Sequence, residues 1–412
     1  MRLLYTALLG LVLPFVLLRL WWRGRREPGY RENIGERLGG YPSHRAKKLV
    51  WVHTVSVGEA RAAAPLVEGL RKALPDHAIL MTCTTAAGRS TLAQVYGESV
   101  LTSFLPYDFP AAVRRFLAHY RPRLGVILET EVWPNLLAAC ARDGVPVVLA
   151  NARMSEKSAA GYARWRRLMR PAFASLAAVC AQTSADAERL TALGASRVQV
   201  TGNLKFDVAP NPDQLAGGRA WRMILDRPVL LLASTREGEE KMLLQHLESM
   251  SASVLVVVVP RHPQRFDEVA QLAQSRRTLK PLPQPNDRVH LGDTMGEMAF
   301  YFAASDVAVI GGSFMPLGGQ NLIEALAAGT PVVCGPSMFN FAEATRLAVA
   351  AGAAIQVPDA AAAIREAFLL LENETKRRAM GDAGRRFCES HRGAAERQLA
   401  VCLRAFTAKA LD

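Results

Sequence analysis

Along the chain, short runs that are apolar at every position recur between longer stretches whose apolar residues return every three or four places. Leu49–Val52, Ala78–Thr82, Leu124–Leu128 and Pro146–Ala150 form one series, and Val229–Ala233, Val254–Val259, Val307–Ile310 and Pro331–Cys334 form a second. A strand with no polar alternation is one covered on both faces, and strands alternating with helical patterns give a parallel sheet between two helix layers. The intervening periodicity predicts helices over Ala60–Leu74, around Glu240–Met250 and over Met298–Ala304. A helical segment over Ala360–Leu411 fits either a cap on the second half or a return toward the first. The two halves open alike: His53-Thr-Val-Ser-Val-Gly-Glu59 and Ala233-Ser-Thr-Arg-Glu-Gly-Glu239 each lead from a strand into a helix. The expectation is an α/β protein of two Rossmann-like domains facing a central cleft. Its boundaries are an N-terminal membrane-associated helix at 1–22, a first domain at 23–205, a Pro- and Gly-containing linker at 206–218 and a second domain at 219–412. Ligands of open α/β sheets bind at the carboxyl ends of the strands, so the chemistry is sought there.

The segment Leu3–Leu18 is uncharged and mainly apolar, and it ends in Arg19-Leu-Trp-Trp22 followed by Arg23-Gly-Arg-Arg26. It is slightly short for a perpendicular span of about 20 residues and has no small-residue cleavage site after it, which favours an uncleaved anchor over a signal peptide. The heavier positive flank follows the segment, so the positive-inside rule places the rest of the chain on the cytoplasmic side.

Of 412 residues half are hydrophobic, and the net charge of +13 is unevenly spread. Residues 1–205 hold 28 Lys and Arg against 14 Asp and Glu, whereas residues 206–412 hold 22 against 23. The basic residues are mostly Arg beside apolar and aromatic neighbours, as in Ala163-Arg-Trp-Arg-Arg-Leu-Met-Arg170, and no nucleic-acid module accompanies them. An anionic membrane surface fits this pattern better than nucleic acid. Six dispersed cysteines without a C-x-x-C pair read as reduced core residues.

The densest candidate for chemistry is Ala308–Gly335. An apolar run breaks at Gly311-Gly312-Ser313 into a loop with Gly318-Gly319-Gln320-Asn321, then a helix opens with Leu322, Ile323 and Glu324 and closes at Gly329. Glycines let a backbone approach a ligand and free N–H groups at a helix start favour anions, so the loop suits a nucleotide; an ordinary capped βα turn reads the same way. Glu59 follows the first strand at a helix start, where a carboxylate is kept ionised for general-base work or simply completes a cap. Glu129 and Glu131 end a strongly apolar strand. They could bind a metal, but the chain has no Asp-x-Asp and no His nearby in sequence. Lys205 stands where the first half hands over to the second. Pro260-Arg261-His262 ends another apolar strand with a cation, and Gly292-Asp-Thr-Met295-Gly296-Glu297 precedes a helix. No Ser-His-Asp order, G-x-S-x-G elbow, Walker loop or G-x-G-x-x-G follows a strand. Group transfer from a nucleotide-activated donor remains.

These motifs resemble those of 3-deoxy-D-manno-octulosonic acid (Kdo) transferases, over nearly the whole chain. The resemblance is carried by Arg23-Gly-Arg, Gly35-Glu-Arg37, Ser56-Val-Gly-Glu59, Leu105-Pro-Tyr-Asp108, Glu129-Thr-Glu-Val-Trp-Pro-Asn135, Asn151-Ala-Arg153, Ser158-Ala-Ala-Gly-Tyr162, Leu204-Lys-Phe-Asp207, Pro260-Arg-His-Pro263, Gly292-Asp-Thr-Met-Gly-Glu297 and Gly311-Gly-Ser313. It implies a membrane-associated GT-B enzyme of lipopolysaccharide assembly, moving Kdo from CMP-Kdo to a lipid A precursor with inversion, without metal or cofactor, on the cytoplasmic face of the inner membrane. It also implies Glu59 as the base and Glu129 and Lys205 as transition-state stabilisers. CMP would lie against Pro260, Arg261, Met295, Gly296, Glu297, Asn321, Leu322, Ile323 and Glu324. A GT-B enzyme using a UDP-sugar, or an interaction protein on a degenerate nucleotide fold, are the alternatives.

Overall fold

The computed structural model describes the whole chain except Arg26 and residues 45–47, 248–250, 252 and 409–412. Ends of three expected features, the Arg23–Arg26 flank and the helices drawn to Met250 and Leu411, lie outside the described residues. The chain divides into two units: Met1–Val208 with Arg392–Asp412, and Ala209–His391.

The first unit is built on seven strands: β1 (Leu49–His53), β2 (Ala78–Cys83), β3 (Leu101–Phe104), β4 (Pro122–Leu128), β5 (Val147–Ala152), β6 (Ala178–Ala181) and β7 (Val198–Val200). All pair in parallel in the order β3-β2-β1-β4-β5-β6-β7. Alternate residues of β1 feed opposite helix layers, Leu49 and Trp51 to one core and Val50 and Val52 to the other, each fully buried. That is why the run carries no polar position. Helix α1 (Arg2–Arg23) also belongs to this unit. The helix expected over Ala60–Leu74 is two, α2 (Val57–Ala62) and α3 (Ala64–Ala73). Pro65, which cannot donate to the preceding turn, starts the second.

The second unit repeats the plan with β8 (Val229–Thr235), β9 (Leu255–Pro260), β10 (Ser275–Arg276), β11 (Val289–Leu291), β12 (Val307–Ile310), β13 (Val332–Cys334) and β14 (Ala354–Gln356), again all parallel, in the order β10-β11-β9-β8-β12-β13-β14. In each sheet the strand order reverses beside the first strand, between β1 and β4 and between β8 and β12. Loops leaving opposite sides of such a switch point diverge and leave room for a ligand.

Two boundary expectations are corrected. Residues 206–218 are not a linker throughout: Lys205 and Phe206 lie in a 3-10 turn, and a helix already runs over Pro212–Ile224. Gly218 reads as loop composition, yet a Cβ there would meet the Phe300 carbonyl oxygen at 2.2 Å, so the glycine serves close packing of two helices. The second domain does not run to residue 412. The helix Ala394–Ala408 returns to the first unit, where the Asp207 carboxylate accepts from the amides of Gly393 and Ala395, and Gln398 accepts from Asn151 N at 2.9 Å.

Candidate active site

In the first unit, the loop leaving β1 and the loop leaving β4 converge at the switch point. Ser56 caps α2, and its hydroxyl donates to Glu59 Oε1 at 2.9 Å, while the Val55 amide donates to Glu59 Oε2 at 2.8 Å. Glu59 thus forms a reciprocal capping box, the structural role its position allows. The box leaves it 7% exposed beside two further carboxylates. Burial first, then the Glu129 charge and, with a smaller effect, Glu131, outweigh the two hydrogen bonds and push the Glu59 carboxyl up to about 7. A carboxyl that exchanges its proton near neutrality is suited to general-base work in a way that an ordinary helix cap is not.

Glu129 stands directly after β4 with φ +60°, its amide donating to the Ala150 carbonyl at 3.0 Å. A left-handed conformation at a non-glycine residue is sparsely populated, and here the ladder bond to β5 holds it. Lys205 Nζ lies 3.8 Å from Glu129 Oε1, both side chains mostly buried. The lysine is fixed by its own turn: Asn203 Oδ1 accepts from Lys205 N at 3.0 Å, and Asn151 Oδ1 accepts from Leu204 N at 3.0 Å. Asn151 is itself in the left-handed region, φ +49°, at the end of β5. Glu59, Glu129 and Lys205, far apart in sequence, are therefore brought together in one unit. Glu131, whose carboxyl is also raised by burial and by Glu129, belongs to the same cluster. His53, the last residue of β1, is fully buried and accepts or donates only through Nδ1 to Thr82 Oγ1 at 2.8 Å. Burial drives it down to about 3, so it stays neutral.

In the second unit the corresponding loops leave β8 and β12. The glycine loop is expected to let the backbone approach a ligand, with free N–H groups at the helix start that follows; the structure shows where the loop's own amides go. Glu239, fully buried, accepts from Gly312 N at 2.6 Å and Arg236 N at 2.9 Å through Oε2, and from Phe314 N at 3.0 Å through Oε1. Gly319 N and Gln320 N donate back to the carbonyls of Gly312 and Gly311, and Gly318 N donates to Ser337 Oγ. Gly311 must be glycine because a Cβ would come within 2.6 Å of the Ser234 carbonyl oxygen. The loop is thus a folded platform whose amides are largely bonded internally. After it, Asn321 Oδ1 accepts from Ile323 N at 3.0 Å and Asn321 Nδ2 donates to Glu324 Oε1 at 2.9 Å, opening the helix Ile323–Ala328, which Gly329 closes as expected. Leu322 and Ile323 are buried in the core, main chain included, so of the four residues expected to meet the nucleotide here only Asn321 and Glu324 are partly exposed. Pro260 ends β9, and Arg261 N donates to Thr235 O at 2.9 Å. Gly296 accepts from Gln214 Nε2 at 2.9 Å, Met295 is half exposed, and Glu297 lies 3.4 Å from Arg277.

Sequence reasoning missed Glu239 as the organiser of this loop, although the repeated opening of the two halves was the signal that pointed to it. Among the described residues, no group of three or more His, Cys, Asp or Glu is arranged to hold a metal ion. A cavity of about 570 Å³ in the second unit lies at the opposite, amino-terminal end of its strands, before β12 and β13, lined by paired charges such as Arg222–Asp306 and Arg378–Glu374, and it holds none of the candidate residues.

Residues 32–208 match the family described as 3-deoxy-D-manno-octulosonic-acid transferase (kdotransferase), and residues 282–387 match glycosyl transferases group 1. The chain is 46% identical to a 3-deoxy-D-manno-octulosonic acid transferase of Bordetella pertussis, over 96% of this chain and 97% of that one. It is 34% identical to the transferase of the same name from Haemophilus influenzae, over 97% of each. A UDP-GlcNAc 2-epimerase from Neisseria meningitidis, 18% identical, superposes with a TM-score of 0.60 over 87% of this chain and 100% of its own, which shows the two-Rossmann fold and nothing of the activity. With the fold in two parallel-sheet units and this identity along nearly its full length, the chain belongs to the 3-deoxy-D-manno-octulosonic acid transferase family of glycosyltransferases.

Proposed function

We propose that the protein transfers Kdo from CMP-Kdo to the lipid A precursor lipid IVA, with inversion and without metal or cofactor, at the cytoplasmic face of the inner membrane. The observation that carries this reading is the cluster at the switch point of the first sheet, where Glu59 is held buried by Val55 N and Ser56 Oγ beside Glu129, which Lys205 approaches to 3.8 Å, and is pushed up to about 7 by that burial and by Glu129. In its ionised form Glu59 takes the proton from the acceptor's sugar hydroxyl as that oxygen attacks the anomeric carbon. The bond from that carbon to the phosphate oxygen breaks on the opposite side, and CMP leaves as a stable anion that needs no proton from an acid. Positive charge developing on the sugar ring is stabilised by the Glu129 carboxylate, which Lys205 holds in place at 3.8 Å.

The donor's nucleotide is assigned to the rim of the second sheet. Arg261 would meet the phosphate, with Pro260, Met295, Gly296 and Glu297 around the base and ribose, and Asn321 and Glu324 on the other side, carried by the buried Leu322 and Ile323. The internally bonded glycine loop supports this as a preformed surface that loses little entropy on binding. The acceptor reading is supported by the basic excess of residues 1–205 and by the apolar helix α1. Incubation of the full chain with CMP-Kdo and lipid IVA, with mass spectrometry of the product, is expected to show addition of Kdo in the presence of a chelator. Transfer from a UDP-sugar, with CMP failing to compete, would replace this reading by the UDP-sugar alternative. Deleting residues 1–22 is expected to weaken membrane association more than CMP-Kdo binding.

A further inference from the structure

Helix α1 is tied to the first unit at both of its ends. Near its start, Asn135 Nδ2 donates to Thr6 Oγ1 at 2.9 Å, and the Tyr5 hydroxyl lies beside the Asp108 carboxylate. Asp108 in turn accepts from the first amides of the helix Pro134–Arg142, Asn135 N at 2.9 Å and Leu136 N at 2.7 Å. Near the end of α1, Leu20 is buried and Arg31 donates through Nε and Nη2 to the Trp21 carbonyl, at 3.1 and 2.9 Å. The Arg23 guanidinium also sits over the ring of Tyr30, which is itself buried.

Between these ties the helix has two faces. Leu9, Leu13, Val16 and Leu17 are half-buried against the unit. Leu4, Leu8, Leu11, Phe15, Leu18 and Trp22, spaced by three and four, form an exposed row on the opposite side, with Phe15 72% and Leu11 71% exposed. A water-soluble protein does not leave such a row open.

The two ties decide how that row can meet lipid. Thr6 and Leu20 are 14 residues apart, about 21 Å along a helix, against a hydrocarbon core of about 30 Å. Were α1 to cross the bilayer with its ties intact, Asp108 and Asn135, and the sheet edge behind them, would be carried deep into hydrocarbon, where a carboxylate and unsatisfied main-chain groups are not tolerated. We propose that α1 instead lies in the plane of the leaflet, docked lengthwise on the first unit, with the Leu4-to-Trp22 row as its lipid-contacting face. Arg19, Arg23 and Arg25 and the exposed ring of Trp21 beside Trp22 suit an anionic headgroup layer, whereas a second copy of this row would bring those cations together. The Asn135 tie belongs to the segment that begins at Glu129, so the docked helix also sets the height of the rim acids above the lipid.

The inference deepens the membrane reading given under the proposed function and rests on it for the choice of lipid as occupant. Its test is topological. In the full chain the six native cysteines are buried, so a membrane-impermeant maleimide reports an added one. Arg2→Cys, at the start of α1, and Glu98→Cys, on the exposed surface of the first unit, are compared in spheroplasts and inverted membrane vesicles. Both are expected to label from the same side, within about twofold of each other. Nitroxides placed at Leu4, Leu11 and Leu18 are expected at nearly equal depth. Labelling of Arg2→Cys from the side opposite Glu98→Cys, with Leu11 near the midplane, overturns the in-plane helix. So does a soluble oligomer that shields the row without vesicles. Kdo transfer assayed in the same membranes separates the two readings, since a crossing helix with intact transfer sinks only the orientation.

Discussion

Two carboxylates hold the same place in the two units and have been put to different uses. Glu59 and Glu239 are each the seventh residue of the repeated opening, His53–Glu59 and Ala233–Glu239, at the start of the helix that follows the first strand of its sheet. Glu239 is surrounded by amides: Arg236, Gly312 and Phe314 all donate to it, so its charge is spent on holding the β8 and β12 loops together. Glu59 has one amide and one hydroxyl, and the charges that act on it are those of two acids, Glu129 and Glu131. A buried carboxylate encircled by donors is a structural fastener, whereas one set among other carboxylates has a proton affinity matched to taking protons near pH 7. The repeat supplies the position, and the neighbours decide the role.

The sharpest way to break this comparison is to neutralise each acid. Glu59→Gln keeps the size and half of the cap, and is expected to lower transfer by about 10² to 10⁴-fold, with CMP affinity unchanged within about threefold. Transfer within tenfold of the unaltered protein would remove Glu59 as base. Glu239→Ala is expected to act on the fold instead. Three amides lose their acceptor, at about 1–3 kcal/mol each when buried, so the second unit should lose about 4 kcal/mol in denaturant unfolding, and CMP binding should fall with it. A variant with normal stability and normal CMP affinity would show that the loop does not depend on this carboxylate.

A third experiment sharpens the contrast through pH. Because the ionised Glu59 is the active form and its carboxyl sits at about 7, kcat/KM for the acceptor is expected to climb as pH rises through that value. Glu129 is the second cause of the raised value, after burial, so Glu129→Gln should move the midpoint of the climb to lower pH while also slowing transfer. A midpoint left in place would mean that burial alone sets it.

Much of this was legible in the sequence, and the losses have physical causes. The central strands were visible because both faces are buried and every position is apolar. β3 was hidden by Thr102 and Ser103, β6 by its alanines and cysteine, and β7, β10, β11 and β14 by being two- or three-residue strands at or beside an edge. Glu59, Glu129 and Lys205 could be picked out as rim residues, but the 3.8 Å approach of Lys205 to Glu129 depends on Asn151 and Asn203 shaping a turn, which spacing does not reveal. The glycine loop was recognised as a loop for close approach. That its amides would be satisfied by Glu239 was invisible, because the partner lies more than 70 residues earlier. Likewise, the apolar content of α1 was plain, whereas its polar ties at Tyr5 and Thr6 look like ordinary tolerated residues in an anchor.

The smallest expected effect is on stability, and its sign follows from the same carboxyl. Glu59 goes from about 4.5 in the unfolded chain to about 7 in the native one, so the native state holds its proton longer. Below pH 4.5 the group is protonated in both states and contributes no penalty. Between 4.5 and 7 the unfolded chain releases the proton first, and the native state becomes progressively less favoured. Above 7 the penalty is constant. Glu59→Gln cannot ionise, so its stability relative to the unaltered protein should rise across that window, by on the order of 2 kcal/mol, and then level off. The cost of replacing one carboxylate oxygen by an amide nitrogen beside Val55 or Ser56 is independent of pH, which makes the slope, not the absolute difference, the quantity to measure. Unfolding midpoints in denaturant at pH 5 and pH 8 give it directly. A flat difference between them would mean that the native fold relieves the crowding of Glu59, Glu129 and Glu131 in some other way, and the contrast with Glu239 would then rest on hydrogen bonds alone.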